Sequence, residues 1–254
     1  MSTDITFGSL NVHRADCNKD HYHPCRDWDD DRGDELAKWI KDEMRSSVYA
    51  WQECMPEQAV DITDYLGWGD AQNPAYWWDE NQNVVACDRD KWTDLAVYHI
   101  SLGKVGSKAD DHRRSILWVL LEHLDSGLRC WFGSGHLENG DGDERAREAQ
   151  VLVDYLPPGD EPFVFGIDRN SYTTSSGGPR DIFKKAGLTE LSYDNPDDQR
   201  SFNQWDHSKE PKDGNSIDAQ HYTGLKIRDG SEMLYTTKKD TTDHNGLVGR
   251  YTLP

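Results

Sequence analysis

Short apolar runs broken by polar clusters set the reading of this chain. Ile5-Thr6-Phe7-Gly8-Ser9-Leu10 predicts a central strand over 4–12 that carries Asn11 at its end. A polar stretch over 13–33 follows, with Asp27, Asp29, Asp30 and Asp31 as a solvated acidic run. Asp34 reads as the N-cap of a helix whose apolar positions Leu36, Trp39, Ile40 and Met44 keep helical spacing. Strand 48–52 delivers Gln52-Glu53, and a helix over 57–66 stops at Gly67. Strands 83–87 and 95–100 read as a pair joined by a turn at Asp88-Arg89-Asp90-Lys91; 115–123 and 128–133 form a hairpin turned at Asp125-Ser126-Gly127. A helix over 143–156 is stopped by Pro157-Pro158-Gly159, strand 162–167 runs into Asp168, and 180–186 is a short helix closed by Gly187. The polar stretch 189–216 reads as a long surface loop, and strands 217–222, 232–236 and 247–253 close the chain. Strands interleaved with helices and hairpins predict an α/β (α+β) architecture of mixed sheets covered by helices.

Length favours one domain over 1–254, because the polar clusters run from position 11 to 244 and a split would scatter them. Apolar residues make up only 35% of the chain against 30% charged, so ten Trp and eleven Tyr have to supply much of the buried area. The net charge of −19 changes the picture more. Proteins that track nucleic acid by general electrostatics are usually basic, since neutralised phosphates release counterions. A polyanionic substrate must therefore be met by a metal or by local cations: Arg113-Arg114, Lys104 with Lys108, Lys184-Lys185 or Lys238-Lys239. Each of these equally reads as solvated surface charge. Met1-Ser2-Thr3-Asp4 lacks the basic and apolar regions of a secretory leader, and no apolar run approaches the roughly 18 residues of a membrane span. The expectation is a cytoplasmic, intracellular protein without a membrane span. Five cysteines, an odd number, fit a reducing compartment. Cys17, His21, His23 and Cys25 leave three readings open: a zinc site, a Cys17–Cys25 bridge, or ordinary loop residues.

Chemistry concentrates in Asn11, Gln52-Glu53, Gly135-His136-Leu137, Asp168-Arg169-Asn170, Ile217-Asp218 and Thr242-Asp243-His244. Strand ends are where such scaffolds gather polar groups into one crevice. Two histidines, four carboxylates and three carboxamides suit a hard divalent cation and proton transfer at a phosphate ester. Glu53 offers the hard oxygen that Mg²⁺ prefers, with Asn11 and Asp243 completing or orienting that shell. An imidazole at His244 held by the Asp218 carboxylate has a fixed tautomer and a raised pKa. Asp168 and Asn170, at i and i+2 of an extended segment, face the same way and reach one phosphate. Arg114, with Arg113 as alternate, reads either as a bidentate phosphate clamp or as surface charge. His99, His112, His123, His207 and His221 show no such context.

The order and identity of these clusters resemble the DNase I-like endonuclease/exonuclease/phosphatase family, from residue 4 to about residue 253. The resemblance implies two facing β-sheets with helices outside, a four-layer sandwich. It implies a Mg²⁺ cofactor, with Mn²⁺ and Ca²⁺ left open, and places the residues matching Asn11, Glu53 and Asp243 around the ion. It implies that His244 is oriented by Asp218, and that His136, at the family's Gly-Thr-His-Leu position, contacts the phosphate or acts as acid. Asp168 and Asn170 would orient or deprotonate the attacking water, with the base left between Asp168 and His244. The chain departs from the family pattern in places. Ile167-Asp168-Arg169-Asn170 stands where Gly-Asp-x-Asn is usual, with Gly166 displaced by one and Arg169 at a commonly apolar position. Gly135 replaces a Thr, Ser216-Ile217 replaces Arg-Ile, and the partner of His136 is open among Glu80, Gln82 and Asn83.

The expected function is a Mg²⁺-dependent phosphoesterase, a nuclease on DNA or RNA, with nucleic acid as substrate and no obligate protein partner. The alternatives are a phosphatase or phosphodiesterase on small or lipid-linked phosphates, and a non-catalytic binding module of the same fold. Tyr76-Trp77-Trp78 reads either as a platform for bases or lipid or as packing.

Overall fold

A computed structural model of the chain describes residues 2–15, 28–70, 72–103, 114–171, 176–191, 201, 216–234 and 241–254. Two sheets face each other. The first runs β11 (Lys226–Ile227), β13 (Gly246–Leu253), β1 (Thr3–Asn11), β2 (Val48–Gln52), β4 (Val84–Cys87) and β3 (Tyr76–Trp78), with β12 (Glu232–Leu234) also on β13. The second runs β5 (Trp92–Ser101), β6 (Ser115–His123), β7 (Arg129–His136), β8 (Phe163–Asp168), β10 (Asp218–Thr223) and β9 (Thr189–Glu190). Between them lies a core of Phe7, Val48, Val85, Trp92, Val119, Phe132, Val164 and Tyr251. Helices α1 (Gly33–Trp39) and α2 (Pro56–Leu66) cover the outer face of the first sheet through Leu36, Trp39 and Ile62. Helices α3 (Gly142–Asp154) and α4 (Pro179–Lys185) cover the second through Ala149, Leu152 and Phe183. The result is a four-layer sandwich.

Aromatic side chains make up for the modest apolar content. Trp51, Trp92 and Trp118 are fully buried, and withdrawing roughly 200 Å² each from water is worth about 5 kcal/mol apiece. The two sheets pack tightly at Gly166, where an added Cβ would sit 2.2 Å from Ser9 Oγ and 3.1 Å from the Ala50 Cβ. That close approach accounts for a glycine two places before Asp168.

Strand direction then builds one polar end. β1 runs parallel to β2 with Asn11 opposite Gln52, and β7 runs parallel to β8 with His136 opposite Asp168. β10 is antiparallel to β8, so its first residue, Asp218, also faces Asp168. The start of β13, just after His244, lies beside the end of β1 for the same reason.

Several expectations need correction. Strands 83–87 and 95–100 are not a pair: β4 and β5 belong to different sheets, and the Asp88–Lys91 turn crosses between them. The buried indole of Trp92, in the inter-sheet core, anchors that crossing. Asp34 is not an N-cap but lies in the first turn of α1, which continues wider π-type turns at Trp28–Arg32 and Ile40–Met44. Asp141 caps α3 instead, accepting from the N–H groups of Asp143 and Glu144. Tyr76–Trp78 and Lys226–Ile227 form short strands the pattern did not suggest. Trp77 packs into the inter-sheet core with Arg89 4.7 Å over its ring, whereas Trp78 stays exposed. Thr189–Glu190 is a strand rather than loop; 192–200, 202–215 and the Cys17, His21, His23, Cys25 cluster lie outside the described residues, as do Arg113, Lys104, Lys108, Lys238 and Lys239. No helix among the described residues is long and apolar enough to cross a membrane.

Candidate active site

At the polar end the two sheets meet through side chains from six segments. The Asn11 amide donates to Glu53 Oε1 and to Asp168 Oδ2, both at 3.1 Å, and so ties the first sheet to the second. His136 Nε2 lies 3.5 Å from Asp168 Oδ2 and 4.0 Å from Glu53 Oε1. On the other side of Asp168, His244 Nε2 is 3.9 Å away, and its Nδ1 pairs with Asp218 Oδ2 at 2.8 Å. Asp243 Oδ1 stands 3.8 Å from His244 Nε2. Asn11, His136, Asp168, Asp218, Asp243 and His244 are buried, while Glu53 and Asn170 are half-buried.

Local backbone geometry aims these groups. Glu53 and Asn170 adopt left-handed φ values, 51° and 48°, one residue past the end of β2 and two past the end of β8. Such conformations are uncommon outside glycine and cluster where structure serves a site. The Asn170 N–H donates to Asp168 Oδ1 at 2.9 Å, closing an Asx turn that folds the Asn170 side chain back over the site. The Asn170 amide nitrogen then donates to the Leu137 carbonyl at 2.9 Å and to His136 Nε2 at 2.8 Å. Because the Leu137 carbonyl can only accept, it fixes which end of the amide is nitrogen. His136 Nε2 is therefore the acceptor of a neutral imidazole.

Charge is unevenly shared. Burial pushes the Asp168 carboxyl up to about 7, the Asp218 charge adds to this, and His244 only partly offsets it. Burial resists charge on His244, but Asp218, Asp243 and Asp168 outweigh it, so its pKa stands well above 6.5 and it is an imidazolium. Burial likewise resists the Asp243 charge, yet His244 and His13 bring its carboxyl down to about 2. Asp218 Oδ1 is buried with no hydrogen-bond donor among the described residues, and Asp243 Oδ1 has the His13 ring nitrogen at 3.4 Å.

Arg114 is near the site but turned to acids: it is buried, its Nε lies 3.9 Å from Glu138 Oε2, and Glu148 feels its charge. Arg169, the odd residue in Asp168-Arg169-Asn170, points away from the site. It is fully buried and paired with Glu190 at 3.3 Å. Glu80 is exposed and Gln82 half-buried, whereas Asn83 joins a buried network in which its amide and the Ser115 hydroxyl both donate to Asp79; Ser115 lies opposite His136 on β7.

Three contributors escaped the sequence pattern. His13 lies 3.4 Å from Asp243 Oδ1 and 3.7 Å from Glu53 Oε2. Arg32, fully buried, donates to the carbonyls of Val12, His13, Arg14 and Thr241, clamping the end of β1 to the segment bearing Asp243. Ser201 Oγ accepts from the N–H groups of Ile217 and Asp218, and its carbonyl accepts from Asn245. Only His13 left a trace: Asn11-Val12-His13 repeats the spacing of Asp168-Arg169-Asn170.

No protein-family model matches the chain, and no curated protein does. Solved structures do match. An endonuclease/exonuclease/phosphatase family protein from Bacteroides thetaiotaomicron superposes with a TM-score of 0.77 at 16% identity, covering 100% of this chain and 99% of that one. A mannosyl-6-phosphatase from the same organism gives 0.72 at 16% identity, over 97% and 99%. TDP2 from D. rerio, complexed with single-strand DNA product, gives 0.70 at 15% identity, over 98% and 99%. The chain thus has the DNase I-like endonuclease/exonuclease/phosphatase fold along its length.

Proposed function

We propose that the chain is a divalent-metal-dependent phosphoesterase that cleaves phosphodiester bonds of nucleic acid by attack of water. The observation that carries this reading is the meeting of Glu53, His136 and Asp168 with the Asp218–His244 pair.

The donor set fits a cation. Ligand atoms of Glu53, His136 and Asp168 lie within 4.8 Å of one another, as do those of Asp168, Asp218 and His244. The second group contains an imidazolium and already has its positive charge. The first has none. Glu53, with Asn11 and Asp243 beside it, would hold the ion. When bound, it screens phosphate oxygens and stabilises charge on the leaving oxygen.

The remaining chemistry falls to the chain's own groups. The Asp168 carboxyl, raised by burial in the metal-free cleft, is placed to accept a proton from water. The His244 imidazolium is suited to pair with a phosphate oxygen and to donate a proton, which assigns the base to Asp168 rather than to His244. Asn170, held by the Leu137 carbonyl, orients His136 and the water.

A second reading, hydrolysis of small phosphoesters, is favoured by the net charge of −19 and by the turning of Arg114 toward Glu138. Plasmid nicking beside a phosphomonoester panel, each with Mg²⁺ and with Mn²⁺, separates the two. Hydrolysis of neither class, or activity untouched by Glu53→Ala and His136→Ala, would leave the non-catalytic binding module instead.

A further inference from the structure

The Asp218–His244 contact joins residues of different sheets. Asp218 opens β10 in the second sheet, and His244 stands two residues before β13 in the first. Their side chains nevertheless meet at 2.8 Å, both buried. Ser201 lies in neither sheet, is fully buried, and bonds to the backbone on both sides of this contact. Its Oγ accepts the consecutive N–H groups of Ile217 and Asp218 at 2.8 and 2.9 Å. Two successive amides converging on one oxygen occupy both lone pairs of a hydroxyl. Its carbonyl accepts the N–H of Asn245, the residue after His244, at 2.6 Å. Other hydroxyls pin one side each. Ser216 Oγ donates to the Asp218 carbonyl at 3.0 Å. Thr242 Oγ1 accepts the His244 N–H at 3.2 Å and donates to the Asn11 carbonyl at 2.7 Å. Of the three, Ser201 alone spans the pair.

We propose that Ser201 is a positioning residue that sets the Asp218–His244 contact by fixing the start of β10 against the segment ahead of β13. The inference rests on the phosphoesterase reading above and deepens it, because it names what holds the imidazole where a phosphate oxygen would meet it. The bonds of Ser201 among the described residues go to backbone alone, so it acts through the placement of the pair. Without the hydroxyl, two buried N–H groups lose this acceptor and the start of β10 is free to shift. A displacement of reacting groups by about 1 Å can cost about 10²-fold in rate.

The test compares Ser201→Ala, which removes the hydroxyl at nearly constant volume, with Ser201→Thr, which keeps it. In the Ala variant, kcat on whichever phosphoester the intact chain hydrolyses should fall about 10–100-fold while KM moves by less than about 2-fold. The Thr variant should keep kcat within about 3-fold of the intact chain. Proton magnetic resonance in Mg²⁺ reads the contact itself. The His244 Nδ1 proton, identified by its absence in His244→Gln, should give a low-field signal in the intact chain and in Ser201→Thr, and should shift or vanish in Ser201→Ala. Hydrogen exchange of the intact chain needs no variant: the Ile217 and Asp218 amides should exchange as slowly as those inside β10. Equal losses in the Ala and Thr variants, an unmoved low-field signal in Ser201→Ala, or fast exchange at Ile217 and Asp218 overturns the proposal. Failure of the functional reading looks different: the low-field signal follows the Ser201 hydroxyl while no phosphoester is hydrolysed.

Discussion

The ends of β1 and β8 lie in different sheets, yet they make the same turn. At Asn11-Val12-His13 the His13 N–H bonds to Asn11 Oδ1, and φ of His13 is 62°. At Asp168-Arg169-Asn170 the Asn170 N–H bonds to Asp168 Oδ1, and φ of Asn170 is 48°. Each turn also has a fully buried arginine: Arg32 holds the first by its carbonyls, and Arg169 is the middle residue of the second. The first residues of the two turns, Asn11 and Asp168, even bond to each other at 3.1 Å. One backbone device therefore serves both sheets, and what differs is the chemistry it presents. The first turn offers a carboxamide and an imidazole around Glu53. The second offers a carboxylate near 7 and a carboxamide on His136. Side-chain identity divides the chemistry between the turns, with conformation held constant.

Asp168→Asn isolates that division and carries the largest expected effect. Asn keeps the Asx turn, because its side-chain oxygen still accepts the Asn170 N–H. The proton acceptor is lost together with the Asn11 bond to Oδ2, and the turnover number should fall by about 10³-fold while the thermal midpoint falls only by the worth of one hydrogen bond, about 1 kcal/mol. A fall in midpoint matching the loss of activity would mean the turn, not the charge, was disturbed.

Removing the metal should expose the same asymmetry through pH. Asp168 has a carboxyl near 7 when folded against 3.8 ordinarily, so folding favours its protonated form. Its penalty is absent below about pH 4 and complete above pH 7. His244, raised above 6.5, gives stability that is whole below that pH and is lost as pH climbs through its folded value. Both slopes have one sign: in chelator, the chain should melt lower at pH 8 than at pH 5.5. Adding a divalent cation at pH 8 should then raise the midpoint by about 4–8 °C. A metal-free chain that gains stability from pH 5.5 to 8 would contradict the charge sharing described for this cleft.

The two arginines should separate next. Arg32→Met strands carbonyls of Val12, His13, Arg14 and Thr241, at a cost of about 3 kcal/mol. Arg169→Met leaves Glu190 still paired with Arg180 at 3.0 Å. Because Glu190 keeps Arg180 as its partner, no buried charge is stranded, and a smaller loss of about 1–2 kcal/mol is expected. Urea unfolding of the two variants tests the order, and equal losses would erase the distinction.

The contrast between the turns also explains what could be read in advance. Strand ends were legible because Ile5–Leu10 and Phe163–Ile167 announce themselves by apolar content, and their polar successors stand out against it. The partition of β4 and β5 between sheets was not legible, since periodicity marks a strand but not its neighbour. Nor was His13. Its aim is set by Arg32 and, through it, by the carbonyl of Thr241, 209 positions further along. Arg169 looked like a departure in a catalytic motif, because the residue that absorbs its charge, Glu190, lies on a two-residue strand no pattern foretold.

The smallest expected effect bears most directly on whether the turns are one device. A left-handed residue with a Cβ is strained by about 1 kcal/mol, and glycine is not. Comparing His13→Gly with His13→Ala removes the imidazole from both, so the difference reports the backbone alone. The same pair at Asn170 removes the carboxamide from both. Glycine should be the more stable of each pair by about 1 kcal/mol, after allowing for its greater freedom when unfolded. A gap at Asn170 but none at His13 would mean that the first turn relaxes out of the left-handed region once its imidazole is gone. In that case the position of His13 would be imposed by Glu53 and Asp243 rather than by Arg32 and the Asx turn, and the likeness between the two strand ends would stop at the hydrogen bond.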